Sequence, residues 1–356
     1  MERAKRESEH APQPYTALLP LETVVEGWRV VAWRGGGVHG AVYQAVRVGQ
    51  EDAGPVALKL ALLPRDPRFV REAALLSRIH HPSVPGLLEE GQWQHPGGTV
   101  HPYVIMEWVE GTPLYDWARR HNPTCRQVLR LLAQLARALQ AIHAEEGLHR
   151  DVKGDNVLVR HTDSRAVLID FGSGNHAGAA TLTPPTLFPG TPAYRSPESW
   201  MFELRHWRDR EARYHAGPAD DLYALGVTAY RLVTGTYPEL AEPRQDEDGT
   251  WQLEGMAAPL PLALNPRVES RLSALIFRMI SVDPGARGSV EETAEALERA
   301  EESGALELDE PIFAEGTQPL EAGPREEADM SSGLGEQTRL EGAEGHGAEP
   351  PDAVAR

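Results

Sequence analysis

Six apolar residues, Val128, Leu131, Leu132, Leu135, Leu139 and Ile142, recur at helical spacing after Cys125. This periodicity predicts one long amphipathic helix from Cys125 to about Glu146, and it divides the chain into two kinds of structure. Upstream, residues 28–60 read as three strands, ending in "PVALKLAL", and "TVHPYVIMEWVEG" supplies another. A short helix is expected in "DPRFVREAALLSRI", where Asp66 and Pro67 hold cap-like positions. Downstream, the short strands "NVLV" and "AVLID" flank a turn at "RHTDS", and further helices are expected at 221–234, 267–281 and 289–302. A small β-rich lobe with one helix, a hinge near 107–112 and a larger helical lobe follow from that order.

Charge sets the ends of the folded part. The net charge is −18, and residues 301–356 carry 15 acidic residues against three basic ones. With Phe313 as its one aromatic residue, that tail buries too little apolar surface to offset its ordering entropy. The expected organisation is a flexible segment 1–20, a folded region 21–302 with lobes 21–107 and 112–302, and a disordered acidic tail 303–356. Strong negative charge argues against general nucleic-acid binding, and no apolar run is long enough for a membrane span. The single cysteine, Cys125, permits no internal disulfide and points to a reducing, cytoplasmic setting.

Chemistry concentrates in four short stretches. "WRGGGVHGAVY" places Gly35, Gly37 and Gly40 in a G-x-G-x-x-G pattern with Val42 beyond it. Strands flank it on both sides, so it reads as a hairpin rather than a dinucleotide fingerprint, which needs a helix at its last glycine. "HRDVKGDN" joins the long helix to a strand. Phosphoryl transfer needs an aligned hydroxyl, neutralised phosphate charge and a held metal. Asp151 is suited to accept the hydroxyl proton, Asn156 to ligate Mg²⁺ and Lys153 to steady the moving group. "LIDFGSG" places Asp170 at a strand end, ready to hold a metal between phosphate oxygens. Lys59 in "VALK" and Glu72 on the next helix would form a buried pair that fixes the ammonium against phosphates.

In this order and spacing the four stretches resemble the protein kinase family over roughly residues 25–300. The resemblance implies an α+β, two-lobed kinase fold and an ATP- and Mg²⁺-dependent serine/threonine protein kinase, with Mn²⁺ as an alternative ion. It implies Asp151, Lys153, Lys59 and Glu72 as catalytic residues and Asn156 and Asp170 as metal ligands. Nucleotide contacts would come from Gly35, Gly37, Gly40, Val42, Ala57 and Lys59, with Met106 as gatekeeper and the Glu107 and Val109 backbones facing adenine. "GTPAYRSPE" is similar to the substrate-binding loop, with Ser196 where Ala is usual. Asp221 resembles the organiser of the catalytic loop, and Arg287 the partner of Glu198. Lys153 and Thr191 resemble the serine/threonine-specific branch, and compact segments such as "HPSVPGLLEEG" resemble bacterial members.

Departures and unabsorbed segments carry further expectations. Arg34 replaces an aliphatic residue before the glycine loop, His39 stands at its tip within reach of a phosphate, and Lys59 and Glu72 lie only 13 positions apart. Thr183 or Thr186, with Thr181 beside them, are expected sites of autophosphorylation, with Arg150 as the partner of the phosphate. Thr317, followed by Leu320, fits a phosphothreonine-x-x-aliphatic form for a phosphothreonine-reading partner. "SWMFELRHWRDREARYHAGPA" is expected as an extended solvated helix, with a docking surface for an acidic partner as the lesser reading. The rivals are a small-molecule phosphotransferase and a catalytically weak ATP-binding scaffold. The substrate loop and Arg287 speak against the first, and the intact Lys59, Asp151, Asn156 and Asp170 against the second.

Overall fold

Alternation along the strands decides which side chains face the cleft. A computed structural model describes residues 19–314 apart from Val38, 180–189, Arg210 and Glu254. Strands β1 (Val24–Val25), β2 (Trp28–Gly36), β3 (Gly40–Arg47), β4 (Val56–Ala61), β5 (Leu87–Gln94) and β6 (Val100–Glu107) form one antiparallel sheet in the order β1-β2-β3-β4-β6-β5. In this sheet Tyr43 pairs with Leu58, and Leu58 with Ile105. With Ala45 and Leu60 they close an outer apolar cluster. The residues between them point the other way. Val42 pairs with Lys59, and Ala57 with Met106, so these four share the face turned toward the helical lobe. Val104 and Met106 join the core of that lobe.

Helix α1 (Pro67–Leu76) starts as its sequence requires. The Asp66 carboxylate accepts from the Arg68 N–H at 3.0 Å, and Pro67 occupies the first turn, where its missing N–H costs nothing. After β6 come β7 (Gly111–Pro113), α2 (Leu114–His121) and α3 (Cys125–Ala144). Thr124 and Gln127 form a reciprocal capping box at the start of α3. Cys125, one residue on, is buried. The apolar stripe of α3 packs on α5 (Pro218–Thr234), reached after α4 (Pro197–His206), and on α8 (Val290–Glu301), which follows α6 (Pro261–Leu264) and α7 (Ser270–Met279). Four short strands, β8 (Gly147–Leu148), β9 (Val157–Arg160), β10 (Ala166–Leu168) and β11 (Asn175–His176), frame the loops that carry Asp151 and Asp170. A final small ribbon pairs β12 (Arg244–Gln245) with β13 (Trp251–Gln252).

Two boundaries and one helix differ from the sequence expectation. The tail does not begin at 303. Residues 303–314 lie against the helical lobe, with Leu308, Ile312 and Phe313 buried. Asn122 donates to the Phe313 carbonyl and accepts from its N–H, and Arg126 binds the Asp309 carboxylate at 2.7 Å. An acidic composition hid one apolar pair that has a seat. Likewise Leu19, placed in the flexible N-terminal segment, is buried, and its N–H donates to the Tyr43 hydroxyl. The segment after "SPE" is not one extended helix. Helix α4 stops at His206, and the chain returns so that the Tyr214 hydroxyl donates to Asp220 at 2.7 Å, which fastens it to the first turn of α5.

Candidate active site

Lys59, on the cleft face of β4, is met from two sides. Its ammonium donates to both Glu72 oxygens, at 2.7 and 2.8 Å, and to Asp170 Oδ1 at 2.7 Å. Lys59 and Glu72 are both buried. Burial alone would lower the lysine, but the carboxylates of Asp170 and Glu72 overrule it and hold the ammonium above its ordinary value. Lys59 keeps Asp170 well below the usual carboxylate range, whereas burial pushes Glu72 up despite the same partner. Gly172 leaves room for this cluster. A Cβ at that position would lie 3.0 Å from the Lys59 ammonium and 3.2 Å from Asp170 Oδ1. Asp170 itself adopts φ 63°, a left-handed conformation that short polar side chains tolerate better than most.

The loop from His149 to Asn156 is organised from below by Asp221, on the first turn of α5. Its carboxylate accepts from the backbone N–H groups of His149 and Arg150, at 2.9 and 2.8 Å, and pairs with His143 Nε2 at 3.0 Å. Burial would raise this acid, yet the hydrogen bonds and charge of its histidine neighbours bring it below its ordinary value. The Phe171 ring packs edge-on against the His149 imidazole, 4.8 Å between centroids, tying this loop to the Asp170 turn.

Asp151 stands at the centre of the loop. Its Oδ1 accepts from the Thr191 N–H at 3.1 Å and hydroxyl at 3.0 Å. Its Oδ2 accepts from Asn156 at 2.9 Å, with Lys153 3.4 Å away, and Lys153 also donates to the Thr191 hydroxyl. Asn156 spends its amide protons on the Asp151 carboxylate and carbonyl, which leaves its own Oδ1 as an acceptor. Asn156 Oδ1 and the ionised Asp170 are hard oxygen donors, the set suited to Mg²⁺ completed by phosphate and water oxygens. Among the described residues no group of three or more His, Cys, Asp or Glu side chains is placed to hold a metal by itself. Two such oxygens would suit an ion whose remaining ligands come from phosphate and water.

At the other end of the cleft Met106 and Val109 are buried, and the Glu107 N–H already donates to the Gly86 carbonyl. The glycine hairpin closes through Gly37 N–H to Gly40 O at 2.9 Å. Only glycine fits at position 40, where a Cβ would come within 2.9 Å of the Phe69 ring. Beyond Thr191, Arg287 forms a two-pronged pair with Glu198, both contacts at 2.7 Å. Of the residues expected in the site from sequence, Lys59, Glu72 and Asp170 are in mutual contact through the lysine, and Asp151, Lys153 and Asn156 form a second group. Thr181, Thr183, Thr186 and Thr317 lie outside the described residues.

Three contributors escaped the sequence reading. Thr191 was singled out for its motif but not as a partner of Asp151, and His143 carries no local signal. Arg71 is the third. It is buried on α1 beside Glu72, and its Nε and Nη1 have no hydrogen-bond partner, as is also true of Arg150 Nε. Burial, with Arg150 and Arg68 nearby, pushes the Arg71 guanidinium down to about 10.

Comparison with known proteins points to one family. The family model described as the protein kinase domain matches residues 29–297. The chain is similar to the serine/threonine-protein kinase pkn2 of Myxococcus xanthus, 32% identical over 80% of this chain and 34% of that protein. It is also similar to the serine/threonine-protein kinase PknA of Mycobacterium tuberculosis, 33% identical over 57% of this chain and 45% of that protein. It therefore spans between a third and a half of the length of these relatives. The crystal structure of the Mycobacterium tuberculosis PknI kinase domain superimposes with a TM-score of 0.56 at 26% identity, covering 79% of this chain and 99% of that one.

Proposed function

The chain belongs to the protein kinase family, and from that premise we propose that it is a serine/threonine protein kinase, moving the γ-phosphoryl group of Mg-ATP to protein hydroxyls in the cytoplasm. The observation that carries this reading is the set of contacts at Asp151. A hydroxyl, that of Thr191, donates to Oδ1 at 3.0 Å, which supports a carboxylate able to receive the proton of a substrate hydroxyl. Lys153 balances charge beside it, and Asp221 fixes the backbone from which it projects. Lys59, locked by Glu72, would orient the α- and β-phosphates, while Asp170 and Asn156 Oδ1 would hold the metal. Bound Mg²⁺ supplies neutralisation of charge on the phosphate oxygens. The protein contributes alignment and a preorganised field, with turnover expected on the order of 1–100 s⁻¹. Incubation with labelled ATP and Mg²⁺ tests this. Asp151→Asn should lose nearly all phosphate transfer while retaining nucleotide binding, and equal labelling of both proteins refutes the assignment.

Regulation follows from the two arginines. Like charges packed together, with donors lacking partners, favour an anion between them. We infer that a phosphothreonine at Thr183 or Thr186, with Thr181 as the alternative, is that anion, seated on Arg71 and Arg150. Phosphopeptide mapping of active protein tests it, and phosphate absent from residues 173–191 sinks it. The same map reads Thr317, the proposed docking site for a phosphothreonine-reading partner.

A further inference from the structure

The tip of the glycine hairpin carries a histidine where the flanking residues offer only backbone to a ligand. The His39 carbonyl accepts from the Leu62 N–H at 3.0 Å, just beyond the end of β4, so the backbone at the tip is held. Its imidazole is half-buried, and Nδ1 is enclosed without a hydrogen-bond partner. Leaving a buried donor or acceptor unmatched costs about 1–3 kcal/mol, so the atom calls for an occupant.

The charged groups that bear on this ring are Arg68 and Asp66 at the start of α1, Lys59 on β4 and Asp170. Each of them already has a partner. Both Asp66 oxygens face Arg68, and Asp170 Oδ1 takes Lys59 and the Gly172 N–H. Among these neighbours the acceptor without a protein partner is Asp170 Oδ2, the oxygen that the metal would take, and Nδ1 is bonded to none of them. Burial and the nearby Arg68 favour the neutral ring, and a neutral imidazole still donates from one nitrogen.

Strand register gives the direction of the missing partner. Along β4, Ala57 pairs with Met106 at the adenine end, Lys59 with Val42, and Ala61 with Gly40 at the tip. Four residues of strand span about 13 Å, so the tip stands over the far end of a nucleotide whose base lies at Met106.

We propose that His39 Nδ1–H donates a hydrogen bond to the terminal phosphate of the bound nucleotide, adding a side-chain ligand to a lid that otherwise binds through its amides. This rests on the reading of the cleft as an Mg-ATP site. His39 senses whether the nucleotide has a third phosphate, and so discriminates substrate from product.

Calorimetric titration of full-length protein with Mg²⁺ and either ADP or a non-hydrolysable ATP analogue tests the contact. His39→Phe should weaken the triphosphate about tenfold, or about 1.4 kcal/mol, and the diphosphate by less than twofold. His39→Gln, which restores a donor, should recover part of the loss. In the wild type, the ¹⁵N signal of the His39 ring should shift with the triphosphate and not with the diphosphate. Equal weakening of both ligands by His39→Phe, or no weakening, overturns the contact while leaving the Mg-ATP reading intact. Wild-type protein that binds neither nucleotide overturns both.

Discussion

Glu198→Gln is the sharpest test of how the substrate loop is fastened to the helical lobe. Arg287 has no solvent exposure, and it reaches Glu198 through two charge-assisted bonds of 2.7 Å. Two backbone carbonyls, of Ser281 and Ala219, take further N–H groups. Removing one partner of a buried pair leaves an uncompensated charge and costs about 3–5 kcal/mol. Here the Glu198 side chain is 24% exposed, and glutamine keeps one acceptor, so the lower end applies, about 3 kcal/mol. That corresponds to a fall in melting temperature of about 5 °C for a domain of this size. Urea unfolding of wild type, Glu198→Gln, Arg287→Met and the double variant measures it as a cycle. The double variant should be little less stable than Arg287→Met alone, because the two losses describe one interaction. Losses that simply add, or a Glu198→Gln cost under about 1 kcal/mol, would refute a desolvated pair and place the contact among surface bridges of small worth.

Two further outcomes are expected. Arg71→Leu removes a buried charge without a hydrogen-bonded partner, so dephosphorylated protein should melt no lower than wild type, whereas the gain in melting temperature on loop phosphorylation should shrink; an unchanged gain contradicts the anion seat. Asp221 is held below its ordinary carboxylate value, so the folded state binds fewer protons than the unfolded chain as pH falls. Its contribution to stability is full above the unfolded value near 4 and is lost as pH drops through the folded value. Asp221→Asn should therefore flatten the fall in urea-measured stability between pH 5 and pH 3, and identical acid limbs would contradict the assignment.

The candidate site residues could be picked out in sequence because each sits at a fixed offset from a local signal. Lys59 lies in an alternating strand, Asp151 and Asn156 lie five residues apart on one loop, and Asp170 follows the next short strand. Such signals survive without knowledge of the fold. The seat of Ile312 and Phe313 did not, because Asn122 meets Phe313 across 191 residues of chain and nothing near either one announces the other. Arg71 was missed for a different reason. Charge patterns lead to partners, and this guanidinium is informative for the one it lacks. The connection after "SPE" was misjudged because helix-forming composition beyond His206 is overruled by one anchored ring, Tyr214 on Asp220.

Function in this protein also depends on parity. Because Leu58 and Leu60 face the outer cluster while Ala57, Lys59 and Ala61 face the cleft, an inserted or deleted residue has consequences set by where it falls. In the loop at 48–55, between β3 and β4, an added residue changes only the length of a solvent-facing connection. Within β4 the same addition would reverse every side chain beyond it, turning the lysine ammonium into an apolar core and a leucine toward the cleft. The strand can therefore drift in composition but not in length. Tolerance to insertion along this lobe should alternate sharply between loops that accept extra residues and strands that accept none.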